Sequence, residues 1–358
     1  MPHPYTDSYR SVFPGLPLAV IRFFAVNNSV QQHGRPGTWY VRSVQEFIEH
    51  YQRINLTPDL VPPQPGAVNE ICQRLCKAGH LNDFGVGDSF GLDGLSHRYG
   101  ATGTGSEAGD FARRLDCAVY GFPCIYDTFK PSVVPIAHTS PKDADSIGTG
   151  FAIRVDALLT AAHCIGGAKC LAIRGVSKEM LSQATYFRSK KEAVDLALVL
   201  LPGPIFADRP HLEMSQPVIL QDVMALGYPN VPGFQTEVAA EKAMISNRLT
   251  AVRGAIASSP FEIFAGAELL LITARVRGGF SGGPILNDKG DYVGVVSRTP
   301  SHETDTSWKK ASQQYDNLGY GTAIPSELVR LFLEDIDRGA GTHATRMTMS
   351  RIEFRNFL

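Results

Sequence analysis

Two segments of this chain contain residue types that can support nucleophilic catalysis. Residues 279–284 read Gly-Phe-Ser-Gly-Gly-Pro, and residues 160–164 read Thr-Ala-Ala-His-Cys. A serine hydroxyl is a poor nucleophile at neutral pH unless a neighbouring base takes its proton. Glycines beside the serine let backbone N–H groups turn toward a developing oxyanion. The two segments together therefore predict an activated serine.

A carboxylate lies between these segments in the chain. Asp195 interrupts the apolar, strand-like run over residues 194–199, which reads Val-Asp-Leu-Ala-Leu-Val. An unpaired charge is costly to bury in such surroundings. We therefore expect Asp195 to have a partner.

The order His163, Asp195, Ser281 resembles that of the trypsin/chymotrypsin-like serine peptidases, whose triad runs His, Asp, Ser. The resemblance implies that Ser281 is the nucleophile and that His163 acts first as general base and then as general acid. Asp195 would hold the imidazole in the required tautomer. The backbone N–H groups of Gly279 and Ser281 would form the oxyanion hole.

The resemblance covers roughly residues 116 to 336 and extends to flanking motifs. These are Gly-Thr-Gly-Phe at 148–151, Gly-Val-Val-Ser at 294–297 and Ala-Ile-Pro at 323–325. The fold implied is mainly β, a two-barrel chymotrypsin-like peptidase with a closing C-terminal helix, preceded by a small α/β or mostly helical N-terminal module. Short apolar segments separated by Gly/Pro turns agree with such an all-β pattern. They lie at 151–155, 193–201, 217–226, 268–274 and 292–297.

Two departures from the family pattern concern control of activity. Phe280 stands where many relatives have Asp or Asn, and no Ile-Val-Gly-Gly start precedes the barrel. We therefore do not expect activation by amino-terminal clipping. The short spacing from His163 to Asp195 resembles compact bacterial and HtrA-like peptidases, but the tail after the closing helix is too short for a PDZ domain.

Substrate preference is predicted from position relative to Ser281. Arg275 falls near the base of the primary specificity pocket of relatives, and Ser297, Arg298 and Thr299 resemble the strand that pairs with substrate backbone. An Arg at the pocket base would favour acidic side chains through a charge-assisted pair. Alternatively, Arg275 points away and pairs with a local carboxylate, and the pocket takes small or medium apolar side chains.

Composition sets broader limits on partners and compartment. The chain has 358 residues, a length that suits two domains. Its net charge of -1 does not indicate binding to nucleic acid or to an anionic membrane. The apolar stretch 16–26 predicts a short buried strand rather than a signal segment or a spanning helix. We expect a cytoplasmic protein without cofactor or metal.

The cysteines do not follow the framework of a secreted peptidase. There are six, and the strand around 147–153 offers no partner for Cys164. Pairs Cys164/Cys170 and Cys117/Cys124 remain open alternatives to reduced thiols. Cys72 and Cys76 are expected to pack as small hydrophobes, because no second ligand pair follows them.

The chain divides into four segments by pattern. We predict an N-terminal module over 1–83, a Gly-rich linker over 84–109, a peptidase domain over 110–337 and a C-terminal tail over 338–358. In the module, a capping box at Ser43 predicts one helix, the apolar positions 68–76 predict a second, and 18–26 could pair with 39–41 as strands. The tail is expected to be disordered or to pack on this module.

These features predict a serine endopeptidase that acts on a protein or peptide through an acyl-enzyme intermediate. A regulatory protein partner could act through the N-terminal module, which alternatively is an extension that merely packs on the peptidase. Two other functions remain open. One is a peptidase-fold binding protein with an idle triad, and the other is a non-peptidase acyl hydrolase.

Overall fold

The chain folds into two compact units, residues 1–127 and 128–358. The computed structural model describes residues 9–25, 41–55, 61–86, 95–101, 109–140, 144–210, 212–230, 236–238, 242–245, 248–258, 263–264, 267–297 and 320–357. Each unit is built differently, because the apolar periodicity of the first is mainly helical and that of the second is mainly β.

The first unit combines helices with a small antiparallel sheet. Strand β1 (Arg42–Ser43) pairs with β3 (His97–Ala101), which pairs with β2 (Leu81–Val86). The helices span Leu16–Ala25, Val44–Ile54, Pro65–Lys77, Gly109–Tyr120 and Phe122–Phe129, the last of which runs across the boundary between the units. Both predicted helices are confirmed, and the capping box between Ser43 and Glu46 is present.

The strand predicted over 16–26 is wrong, because Leu16–Ala25 is a helix. Leu16, Val20 and Phe24 are buried at intervals of one helical turn, a period that a short apolar run does not distinguish from a buried strand. The ring of Phe24 meets that of Tyr99 edge to face at 5.8 Å between centroids. Trp39 and Tyr40, on the predicted partner strand, lie outside the described residues.

Part of the segment predicted as a Gly-rich linker is an ordered strand. β3 lies within 84–109 and hydrogen-bonds to strands on both sides. Tyr99 at its centre is fully buried, and its hydroxyl donates to Asn69 Oδ1 at 2.6 Å. The strand is therefore held by pairing on both edges and by burial of Tyr99, which the Gly-rich composition of the segment does not indicate. Residues 87–94 and 102–108 lie outside the described residues.

The second unit contains two large sheets, which confirms the mainly β prediction. The first sheet has eight strands in the order β20-β8-β9-β6-β5-β4-β7-β21. Their bounds are β4 Val133–Thr139, β5 Asp145–Arg154, β6 Ala157–Thr160, β7 Cys170–Ile173, β8 Thr185–Ser189, β9 Ala197–Leu200, β20 Ala344–Arg346 and β21 Glu353–Phe354, with a short helix Lys178–Gln183 before β8. Alternating residues of these strands, such as Ile136, Leu158 and Val199, form its core.

The second sheet has six strands in the order β13-β10-β17-β18-β19-β16. Their bounds are β10 Asp222–Gly227, β13 Thr250–Ala255, β16 Leu270–Ile272, β17 Pro284–Asn287, β18 Tyr292–Ser297 and β19 Gly321–Pro325. Smaller sheets join β11 (Thr236–Val238), β12 (Lys242–Ile245) and β22 (Asn356–Phe357), and β14 (Ile263–Phe264) with β15 (Ala267–Glu268). Val223, Ile285 and Phe280 lie in the core of this second sheet.

The predicted closing helix is confirmed over Ser326–Arg338. Val329, Phe332 and Leu333 are buried on one face of the helix, which packs against β18 and β19. Gly339 ends the helix in a left-handed conformation with φ 61°. The prediction of a helix after Pro325 thus follows from a local apolar stripe.

The tail over 338–358 belongs to the second unit, which corrects the expectation that it is disordered or packs on the N-terminal module. Its strand β20 pairs antiparallel with β8, while β21 and β22 run parallel to β7 and β12. Met347, Ile352 and Phe354 pack against the core of the first sheet. This packing and the three strand pairings make the tail part of the second unit.

Candidate active site

His163 and Asp195 are brought together by two neighbouring strands. β6 and β9 pair antiparallel with Thr160 opposite Ala197. The chain leaves β6 through a short 3₁₀ turn, which places His163 beside Asp195, two residues before β9 begins. The His163 N–H donates to Asp195 Oδ1 at 2.9 Å, and the ring Nδ1 bonds to Oδ2 of the same carboxylate.

This double contact orients the imidazole. Because Nδ1 faces the carboxylate, it carries the ring proton in the neutral tautomer, which leaves Nε2 as the acceptor. The side chains are 32% exposed for His163 and 20% exposed for Asp195. The ring is thus held by a half-buried carboxylate while its other nitrogen remains able to take a proton.

Ser281 lies where the two sheets meet. Its carbonyl oxygen accepts the Thr149 N–H of β5 at 2.9 Å, and the next residue, Gly282, donates to Val296 O of β18 at 2.7 Å. Among the hydrogen bonds of the described residues, none joins Ser281 Oγ to His163 Nε2. Such bonds are often long in a free enzyme and tighten only when substrate binds.

The turn before Ser281 carries the predicted oxyanion donors. Phe280 N–H donates to Arg277 O at 3.0 Å, and Gly279 between them has φ 96°, as the third position of a type II turn requires. Gly278 O accepts Asn230 N–H at 2.8 Å. Because a trans peptide points its C=O and N–H in opposite directions, the Gly279 N–H points away from Asn230.

Two backbone donors are left unused beside the serine hydroxyl. Within the described part of the chain, the N–H groups of Gly279 and Ser281 make no backbone hydrogen bond. Such unpaired donors next to a serine suit an oxygen that gains negative charge. Phe280, between them, is 2% exposed and packs in the core of the second sheet.

Cys164 lies inside this site, which the sequence did not indicate. Its Sγ is 3.7 Å from His163 Nε2 and 3.7 Å from Ser281 O. A Cβ built on Gly148 would lie 2.4 Å from this sulfur, so the glycine leaves the space that the thiol occupies. All six cysteines of the chain are free in the structure, which therefore contains neither Cys164/Cys170 nor Cys117/Cys124 as a disulfide.

The protonation of His163 depends on these neighbours. Burial acts to lower the pKa of His163, but the electrostatic interaction with Cys164 and the hydrogen bond with Asp195 outweigh it and raise the pKa to about 10. A second histidine, His138 on β4, responds in the opposite direction. Burial and the positive charge of protonated His163 lower the pKa of His138 to about 4, against the opposing effect of Asp145.

The raised pKa of His163 predicts an alkaline pH profile. A general base must be neutral, so kcat/KM should increase with pH as His163 loses its proton. Cys164→Ala removes a neighbour whose electrostatic interaction and hydrogen bond raise the pKa of His163, so the ascending limb should move to lower pH. The measurement is kcat/KM for a peptide substrate against pH in both proteins. An ascending limb at the same pH in both would contradict this role of Cys164.

The predicted specificity residues are only partly described. Arg275 is exposed, and no carboxylate in the described part of the chain forms an ion pair with it. Ser297 is buried at the end of β18, where its carbonyl oxygen accepts the Thr322 hydroxyl at 3.1 Å. Arg298 and Thr299 lie outside the described residues.

Among the described residues, no group of three or more His, Cys, Asp or Glu side chains is arranged to hold a metal ion. No helix in that part of the chain has both the length and the apolar character needed to cross a bilayer.

The two sheets, the His–Asp pair and the glycine-lined serine together define a serine peptidase-type domain. Residues 148–295 match the family model of the trypsin-like peptidase domain. This span covers 148 of the 358 residues and includes His163, Asp195 and Ser281, so this part of the chain is similar to the trypsin-like peptidases.

Individual relatives resemble part of the chain. The serine proteases Rv3671c and MT3772 of two Mycobacterium tuberculosis strains are 28% identical over 201 residues, which is 54% of this chain and 46% of each relative. The chain thus spans about half the length of these curated relatives. The crystal structure of Rv3671c protease in its active form aligns with 23% identity and a TM-score of 0.39 over 57% of this chain and 79% of that chain. The HtrA-type protease AlgW with a tripeptide aligns with 17% identity and a TM-score of 0.42 over 59% of this chain and 62% of that chain.

Proposed function

We propose that this chain is a serine endopeptidase with His163, Asp195 and Ser281 as its catalytic triad. The observation that carries the proposal is the His163–Asp195 contact, formed by both the backbone N–H and ring Nδ1, beside a serine flanked by unused backbone donors. A histidine held in this way is suited to accept a proton on Nε2.

The proposed reaction begins when Ser281 Oγ attacks the substrate carbonyl carbon and its proton passes to His163 Nε2. The carbonyl oxygen becomes negative and accepts hydrogen bonds from the N–H groups of Gly279 and Ser281. His163 then protonates the leaving amine as the C–N bond breaks, which leaves an ester on Ser281. Water, activated by His163, hydrolyses that ester.

A fluorophosphonate probe tests the nucleophile directly. Ser281 should be labelled in the parent chain, and labelling should be lost in Ser281→Ala and strongly reduced in His163→Ala. A folded parent that takes no label would favour a binding protein with an idle triad. Labelling with cleavage of small esters but not of a peptide library would favour a non-peptidase acyl hydrolase.

The substrate is proposed to be a protein or peptide that binds across Ser281. Arg275 lies six positions before the serine in the chain and is exposed, and we propose that it attracts acidic side chains at the cleaved residue while residues 297–299 pair with substrate backbone. The cleavage sites in the same peptide library test this. A preference for small apolar residues that is indifferent to Arg275→Ala would contradict it.

We also propose that a partner acts on the peptidase through the segment before residue 110. Phe280 offers no carboxylate to a freed amino terminus, so control would need another route. Comparing the full chain with a chain that begins at Asp110 should show a higher or lower kcat in the shorter one. In the full chain the Gly279 N–H makes no backbone hydrogen bond, so it is already available to the oxyanion before the N-terminal segment is removed. Equal activity would therefore contradict this regulatory role.

A further inference from the structure

Thr149 on β5 makes direct contacts with both ends of the oxyanion turn. Its Oγ1 is 2.6 Å from Gly279 O and 3.0 Å from the Tyr228 N, and its N–H donates to Ser281 O at 2.9 Å. The side chain is fully buried, with an exposed fraction of 0%. We propose that Thr149 is a positioning residue that holds the oxyanion turn in its catalytic conformation, an inference that rests on the proposed function.

The direction of each hydrogen bond follows from the groups involved. A backbone N–H can only donate, so the hydroxyl of Thr149 accepts from Tyr228. The hydroxyl has one proton, and Gly279 O can only accept, so that proton is donated to Gly279. One hydroxyl therefore satisfies two buried backbone groups that no apolar side chain could satisfy.

These contacts act on the peptide that presents the oxyanion donor. The plane before Gly279 Cα is held through Gly278 O, which accepts the Asn230 N–H at 2.8 Å. The plane after it is held through Gly279 O, which accepts the Thr149 hydroxyl. With both flanking planes held, φ of Gly279 stays at 96° and its N–H keeps its direction.

The backbone of Thr149 supports the same geometry. Its carbonyl oxygen accepts the hydroxyl of Thr160, at 2.7 Å, on the strand that leads to His163. Thr149 thus lies between the strand that carries the histidine and the turn that carries the serine. Loss of the hydroxyl removes the buried hydrogen bonds to Gly279 O and Tyr228 N–H. A rotation of the Gly279–Phe280 peptide, which carries Gly279 O, would partly relieve this loss and would change the direction of the Gly279 N–H.

The test compares Thr149→Val, which keeps the shape but removes the hydroxyl, with Thr149→Ser, which keeps the hydroxyl. Thr149→Val should lower kcat by on the order of 10²-fold, as expected when an oxyanion donor is misdirected. KM should change by less than about threefold, because ground-state binding does not use the donor. Thr149→Ser should restore kcat to within about threefold of the parent.

A matched control separates positioning from general loss of stability. Ser132 is also fully buried in the second unit, and its hydroxyl donates to a backbone carbonyl, Pro210 O, at 2.9 Å. Ser132→Ala should lower the melting temperature while leaving kcat near the parent value. If Thr149→Val and Thr149→Ser lose kcat equally, or if Thr149→Val keeps the parent kcat, the proposal is overturned.

A crystal structure of Thr149→Val distinguishes failure of this inference from failure of the proposed function. A rotated Gly279–Phe280 peptide, with a changed direction of the Gly279 N–H, supports the positioning role even if the parent proves inactive. An unmoved turn overturns it.

If the variant does not fold, a crystal structure of the parent bound to a peptide aldehyde provides the test. Its hemiacetal oxygen must bind Gly279 N–H while the Thr149–Gly279 hydrogen bond persists, and a broken bond overturns the proposal.

Discussion

Ser281→Ala is expected to lower kcat for peptide hydrolysis by roughly 10⁴-fold or more. The substitution removes the atom that attacks the substrate carbonyl in the proposed reaction. Ser281 is only half-buried, and its described hydrogen bonds use its backbone carbonyl, so the fold should be retained. The measurement is steady-state cleavage of a fluorogenic peptide, with circular dichroism as the check on folding.

His163→Ala should be almost as severe, and the double variant should be no worse than the single ones. The residues of a triad act as a unit, so their effects do not add. Casein cleavage at the parent rate by purified Ser281→Ala would refute the assignment. Activity that is lost in His163→Ala but kept in Ser281→Ala would instead direct attention to the Cys164 sulfur, 3.7 Å from Nε2.

Gly279→Ala is expected to lower kcat on the order of 10²- to 10³-fold, the loss seen when one oxyanion donor is removed. A Cβ at this position would lie 2.1 Å from Tyr228 O, and the backbone has φ 96°, which L side chains rarely adopt. The turn must therefore move, and the N–H of residue 279 moves with it. The kinetic constants of the purified variant on a fluorogenic peptide measure the effect.

Gly278→Ala provides the matched control for Gly279→Ala. A Cβ on Gly278 would meet nothing within 4 Å, and its φ is not positive. This variant should therefore keep kcat within about tenfold of the parent, although it introduces the same methyl group one residue earlier. An equal loss of kcat in the two variants would show that the turn is sensitive to any substitution. If both variants keep the kcat of the parent, the Gly279 N–H is not the oxyanion donor.

Much of the architecture was predictable because it depends on local patterns. The capping box at Ser43 joins residues three apart, and the stripe that includes Val329, Phe332 and Leu333 repeats with the helical period. Both patterns act within one or two turns of chain. The short apolar segment 292–297 likewise forms β18 with the predicted bounds. The order of His163, Asp195 and Ser281 indicated a family, and the family model spans all three.

Other features depended on contacts between distant segments, which no local pattern encodes. The apolar run over 16–26 was predicted to be a strand, but Leu16–Ala25 is a helix that buries one face against distant segments. The tail strands β21 and β22 pair in parallel with β7 and β12, far away in the chain. Parallel pairing leaves no hairpin turn that a sequence could reveal.

The sequence by itself determined which side chains could carry out the chemistry and in what order they occur. Only the tertiary structure decided that Cys164 lies 3.7 Å from His163 Nε2, that His138 is buried beside it, and that the Thr149 hydroxyl bonds to Gly279 O. Spacing along one strand specifies which face a side chain takes, but not which distant loop meets that face. That choice depends on sheet closure and on the pairing of groups that would otherwise be buried without partners.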